Sequence, residues 1–184
     1  MSVAFFSALV VATGFERVAE LVVSRRNAAW SFARGGTEFG WRHFPFMVVL
    51  HGGLLVGCVT EVIVADRPFI AWLGWPMLVL VLASQALRWW CIASLGPQWN
   101  TRVIVVRDIA LVTRGPYRWL RHPNYLAVIV EGFALPLVHT AGVTACLFSV
   151  LNALLLFAVR IPCEERGLAT VMTPSMTRDS HPSS

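Results

Sequence analysis

Two polar stretches, Arg114-Gly-Pro-Tyr-Arg-Trp-Leu-Arg-His-Pro-Asn-Tyr125 and Arg160-Ile-Pro-Cys-Glu-Glu165, bracket the apolar segments Tyr125–Leu137 and Ala141–Ile161. Those segments read as membrane helices. Polar side chains are expensive at a bilayer edge, and where they cluster they mark sites more often than decoration. The bracketed pair decides the fold: a helical hairpin, closed by the small turn His139-Thr-Ala-Gly142, with a polar cluster at each of its two adjacent ends.

Working outward, three more apolar segments precede the hairpin: Val3–Val23, Phe44–Ala65 and Phe69–Leu95. The chain is 57% hydrophobic and 14% charged, which is too apolar for an ordinary soluble domain. We therefore expect an all-α integral membrane protein of about five transmembrane helices. Residues 1–168 are expected to form one membrane domain, and residues 169–184, rich in Thr, Pro and Ser, a disordered tail. The apolar N-terminus lacks a basic leader and an A-x-A-like site, so it reads as the first span.

All fifteen basic residues are arginine. Arg25, Arg26, Arg34 and Arg42 follow the first span, and Arg102, Arg107, Arg114, Arg118 and Arg121 precede the fourth. The other connections are poor in arginine. This alternation predicts an outside N-terminus and a cytoplasmic C-terminus in the inner or plasma membrane. The net charge of +5 is explained by topology, and no basic run interleaved with aromatics indicates nucleic acid. Cys58, Cys91, Cys146 and Cys163 show no CxxC spacing, and no HExxH is present, so neither a disulfide framework nor a metal site is expected.

Asn100–Thr113 is β-branched around Arg107-Asp108 and reads as a short hairpin. Glu16, Arg17 and Glu20 predict a polar face on the first span turned toward protein. Arg88 is expected to neutralise Glu131 or Glu61. His51 reads as a hydrogen-bonded packing residue, and Trp72, Trp75, Trp89 and Trp90 as belt or packing residues.

In the first cluster Gly115-Pro116 forces a turn, and Pro123 suits the first position of the next helix. The free N–H groups there, with Arg121 and His122 alongside, form a site for an anionic or hydrogen-bond-accepting group. Tyr, Trp and Arg at this depth also serve as plain interfacial anchors. In the second cluster Pro162 ends or kinks the last span and starts a helix with Glu164 and Glu165 in its favourable first turn. A capped amphipathic helix beside a snorkelling arginine has the same pattern. Together, both clusters converge on one cytoplasmic pocket.

At these residues the chain resembles the isoprenylcysteine carboxyl methyltransferase family. The matching pieces are Gly115-Pro116-Tyr117, Arg121-His122-Pro123-Asn124-Tyr125, and Arg160 followed by Glu164-Glu165 and Leu168. Arg17-Val-Ala-Glu-Leu21, Arg26-Asn27, Glu38-Phe-Gly40, His43-Phe-Pro-Phe46 and Ser94–Thr101 resemble a bacterial branch encoded beside type III polyketide synthases. The resemblance implies S-adenosylmethionine as cofactor, bound by Tyr117, Arg121, His122, Pro123, Tyr125 and Glu164. It implies Arg160 and Glu165 as catalytic residues. The implied acceptor is lipophilic or prenylated: an isoprenylcysteine-type carboxyl group, or a ring hydroxyl of an alkylpyrone or alkylresorcinol. The implied partners are the bilayer and, by function, a type III polyketide synthase. Past Leu168 this chain departs from the family's Glu-x-Tyr-type segment and runs into Met172-Thr-Pro-Ser. The rival readings are a nicotinamide-dependent membrane reductase of related architecture and a non-catalytic membrane subunit.

Overall fold

A computed structural model describes residues 1–107, 109 and 112–172, apart from the side chains at 42, 171 and 172. The described residues fold as six α-helices with a two-stranded sheet: α1 (Val3–Phe32), β1 (Thr37–Phe39), α2 (Phe44–Val64), α3 (Ala71–Leu95), β2 (Val103–Val105), α4 (Pro123–Leu137), α5 (Gly142–Leu154) and α6 (Ile161–Met172). A π-helical turn, Leu155–Arg160, joins α5 to α6 without a break.

Among the described residues three helical segments are long and apolar enough to cross a membrane: Phe44–Val64, Ala71–Gln98 and Gly142–Thr170. Only 17%, 33% and 22% of their most apolar windows are buried inside the protein, so most of that apolar surface faces outward. An outward face of this size is stable only against lipid. Two of the five expected spans fall outside this set. α1 is 30 residues long, but it carries Glu16, Arg17, Glu20, Arg25 and Arg26. It also runs nine residues past Val23, because nothing breaks it before Gly35, where φ is +74°. α4 has 15 residues, about 22 Å at 1.5 Å per residue, against a hydrocarbon core of about 30 Å.

α4 is the central element. Tyr125, Ala127, Val128, Glu131, Gly132, Ala134 and Leu135 are among its buried positions, and it packs against both α3 and α5. Its small residues allow the close approach. A Cβ on Gly132 would run into the ring of Phe148 on α5. The apolar core (Phe6, Leu54, Cys58, Val62, Val81, Leu135, Phe148) gathers toward the turn of the α4–α5 hairpin. That turn is fastened from outside. Glu61 accepts hydrogen bonds from the backbone N–H of Val143 (3.1 Å) and Thr144 (2.7 Å), capping α5, and pairs with Arg67 at 2.9 Å. The carboxylate thus satisfies two donors that α5 cannot satisfy itself.

The expected pairing of Arg88 is corrected here. Its partner is Glu20 on α1, through Nε to Oε1 and Nη2 to Oε2 (2.7 Å). Glu131 pairs instead with Arg17 (2.7 Å), which also donates to Glu20 (2.8 Å) and Gln85 (2.9 Å). Glu61 is occupied at α5 and Arg67. Two guanidiniums and two carboxylates therefore neutralise one another between α1, α3 and α4. The polar face read in Glu16–Glu20 does turn toward protein.

The expected hairpin at Asn100–Thr113 is described only in part. Val103–Val105 pairs antiparallel with Thr37–Phe39, in the register Thr37↔Val105, Glu38↔Ile104, Phe39↔Val103. Residues 108, 110 and 111 of that expected hairpin lie outside the described residues. α6 packs on this sheet, with Gly167 against Phe39, and continues to Met172, four residues past Leu168. The rest of the expected tail, 173–184, is outside the described residues.

Glu20→Ala leaves Arg17 and Arg88 buried with too few counter-charges, and the expected loss is about 3–5 kcal/mol, read as thermal unfolding in detergent. Gly132→Ala is expected to cost about 1–3 kcal/mol by overpacking against Phe148, read in the same assay.

Candidate active site

Pro123 stands at the first position of α4, where a missing N–H costs nothing, and places Tyr125 one turn inside. On the facing strand of the hairpin, Pro162 offers no N–H to the carbonyl of Ala158, and its ring crowds that carbonyl. The turn before it widens into the π-helix Leu155–Arg160. Turns of this kind recur at functional sites. Here the turn delivers Arg160, 5% exposed, to Tyr125.

The Tyr125 hydroxyl accepts from Arg160 Nε at 3.0 Å and donates to Glu164 Oε2. Arg160 also lies 5.6 Å from the centre of the Tyr125 ring and donates through Nη1 to Met47 Sδ (2.9 Å). His122 stacks on the other ring contact of Tyr125, with centroids 5.2 Å apart and planes at 14°. Among the described residues Arg160 makes no ion pair: its partners are a phenol and a thioether.

Tyr125, Arg160 and Met47 line a cavity of about 100 Å³, and Glu164 and His122 stand behind them outside its lining. It runs between α1, α2, α3, α4 and α5, from Tyr125 and Arg160 at one end to Arg17, Glu20 and Arg88 at the other. Along α4, Glu131 lies six residues beyond Tyr125, about 9 Å, so the charged quartet sits some two turns deeper. Trp99, Asn124 and Asn152 also line the cavity. Trp99 is placed by α1: Asn27 Nδ2 donates to the carbonyls of Gly96 (3.1 Å) and Trp99 (2.7 Å). Ser24 adds bonds to Asn100 (2.6 Å) and Thr101 (2.7 Å).

The predicted site residues divide as follows. Tyr125, Arg160 and Glu164 form one hydrogen-bonded group, with His122 stacked on it and Pro123 buried at its helix start. Arg121 and Glu165 are exposed and outside that group. Tyr117 lies beside Cys91 of α3 and does not line the cavity; burial, and next the Cys91 thiol, push its phenol well above the ordinary value, keeping it protonated. His43, buried at the start of α2, is pushed below its ordinary value by burial and then by Arg160. His51 is bonded to the Met47 carbonyl (2.8 Å) and packs edge-on against Phe148, as read from sequence, and it lines the cavity as well. Sequence reasoning missed Arg17, Glu20, Arg88, Trp99, Asn124 and Asn152 as cavity residues. A lone Asn inside an apolar span was the one available signal.

The donor set fits S-adenosylmethionine. A buried guanidinium without a counter-ion matches its carboxylate. Trp99 Nε1 and Asn124 Oδ1, both buried without a partner and both lining the cavity, match its acceptor and donor groups.

Comparison with known proteins agrees. The family model for "Isoprenylcysteine carboxyl methyltransferase (ICMT) family" matches residues 77–170, just over half of the chain. The uncharacterized protein YpbQ of Bacillus subtilis is 40% identical over 154 residues, covering 83% of this chain and 90% of that protein. An uncharacterized protein of Haemophilus influenzae is 25% identical over 160 residues, covering 86% and 92%. The solved structure of the eukaryotic intramembrane Ras methyltransferase ICMT superposes with a TM-score of 0.56 at 23% identity, which speaks for the fold. That alignment takes in 70% of this chain, which spans about half (47%) of the eukaryotic one. Members of the family use S-adenosylmethionine. A matching family model over the hairpin and both polar clusters, on a fold shared with a membrane methyltransferase, places the chain in the isoprenylcysteine carboxyl methyltransferase family and supports a membrane methyltransferase.

Proposed function

We propose that the chain is an S-adenosylmethionine-dependent O-methyltransferase acting inside the membrane on a lipidic acceptor. The observation that carries this reading is Arg160: a guanidinium, buried at the end of a cavity, that makes no ion pair among the described residues. A buried cation is stable only when paired, and a ligand carboxylate is the partner this site lacks.

In this reading Arg160 holds that carboxylate through its fork of donors. Tyr125 orients Arg160 and Glu164 at once, since its single hydroxyl accepts from one and donates to the other. Glu164 is left an oxygen to accept from a ribose hydroxyl or an amino group. The stacked rings of His122 and Tyr125 offer a face to the sulfonium or the adenine. When bound, the cofactor supplies a methyl group already activated by positive sulfur. The protein then has to align the acceptor oxygen and exclude water. The apolar cavity walls, Val48, Val128, Leu155 and Leu156, do the second.

The acceptor in this reading is an isoprenylcysteine-type carboxyl group or a ring hydroxyl of an alkylpyrone or alkylresorcinol. The second choice, with its link to a type III polyketide synthase, rests on the likeness of the N-terminal segments to that bacterial branch. The arginine distribution supports a multi-pass topology with the C-terminus cytoplasmic. The family match does not favour a nicotinamide-dependent reductase.

Purified protein supplied with methyl-labelled S-adenosylmethionine is expected to transfer label to N-acetyl-S-farnesylcysteine or to 5-pentadecylresorcinol; transfer to neither rejects the reading. Arg160→Ala is expected to weaken S-adenosylhomocysteine binding about 10- to 100-fold, the loss of one or two charge-assisted hydrogen bonds. Calorimetry measures it, and unchanged affinity removes Arg160 from the site.

A further inference from the structure

Asn152 is 2% exposed, lines the deep half of the cavity, and makes no side-chain hydrogen bond among the described residues. It stands eight residues before Arg160, about two helical turns farther from the mouth. Arg88, 6% exposed, lines the same half. Its Nε and Nη2 are taken by Glu20, and its Nη1 is buried without a partner. A membrane helix gains nothing from an unpaired amide, and a buried guanidinium N–H without an acceptor is a cost. Both costs disappear when something with a free lone pair enters.

We propose that Asn152 and Arg88 Nη1 form the acceptor subsite, holding the oxygen that is to be methylated. Arg88 Nη1 can only donate and Asn152 can donate through Nδ2, so the atom they can share is a hydrogen-bond-accepting oxygen. Met47, Val48, Leu155 and Leu156 line the cavity around them, so the oxygen is carried on an apolar body. Glu20, Arg17 and Glu131 serve as positioning residues: Glu20 holds the Arg88 guanidinium by two of its nitrogens and leaves the third for the ligand, Arg17 holds Glu20, and Glu131 holds Arg17. The quartet is already charge-balanced, so it does not need the ligand for neutrality and only orients it. The subsite deepens the methyltransferase reading and rests on it. A carboxylate and a ring hydroxyl share this lone-pair chemistry, and the two probes below separate them.

Asn152→Leu keeps the side-chain size and removes the amide. Wild type and variant, in lipid nanodiscs without cofactor, are titrated with N-acetyl-S-farnesylcysteine and with 5-pentadecylresorcinol, and separately with S-adenosylhomocysteine. Wild type is expected to bind at least one lipid probe. The variant is expected to bind that probe at least tenfold more weakly, to keep its S-adenosylhomocysteine affinity within twofold, and to unfold at a higher temperature. Equal probe binding by both proteins overturns the subsite, as does a wild type that binds S-adenosylhomocysteine but neither probe. A wild type that binds a probe and not S-adenosylhomocysteine overturns the cofactor reading instead. Should Asn152→Leu not fold, the charge-neutral pair Glu20→Gln with Arg88→Gln takes its place, with the same selective loss expected and the same overturning results.

Discussion

Two arginines and two glutamates buried between α1, α3 and α4 are the constraint on which the arrangement depends. Each charge would be prohibitive alone at that depth. Arg17 touches Glu20 and Glu131, and Glu20 in turn holds Arg88, so removing Glu20 strands Arg88 and removing Arg17 strands Glu131. The network ties α1, too charged to rank as an ordinary span, to the two helices that carry the cavity wall. The rest of the lipid-facing surface is interchangeable by comparison, since one leucine serves as well as another against acyl chains.

The cavity inherits its two ends from this arrangement. At the mouth, two prolines set up the helix ends that bring Tyr125, Arg160 and Glu164 together: Pro123 starts α4, and Pro162 widens the turn that presents Arg160. At the far end the charged quartet forms the floor. Between them the walls are apolar. A soluble, charged ligand suits the mouth and an amphiphile suits the interior, so the fold separates the two by depth.

Much of this was legible in the chain. The hairpin from Tyr125 to Ile161, its turn at His139–Gly142, the proline-led helix starts and the membrane class follow from local rules: apolar run length, proline geometry, turn chemistry. Tyr125, Arg160 and Glu164 were legible as a group because they flank one hairpin, whose strands must lie side by side. The partner of Arg88 was not. The sequence pointed to Glu131 or Glu61, and only the tertiary arrangement brings Glu20 of α1 to Arg88. The same holds for Val103–Val105, whose strand partner comes from the connection between α1 and α2, more than sixty residues earlier.

What the sequence determined by itself is therefore class and local form: a chain this apolar must place its helices in lipid, and the prolines and glycines dictate where those helices start and stop. What the tertiary structure decided is which polar groups meet. Long arginine and glutamate side chains reach across helices in several ways of similar Coulomb energy, and the choice among them falls to close packing, through positions such as Gly132 and Phe148, that no single segment encodes.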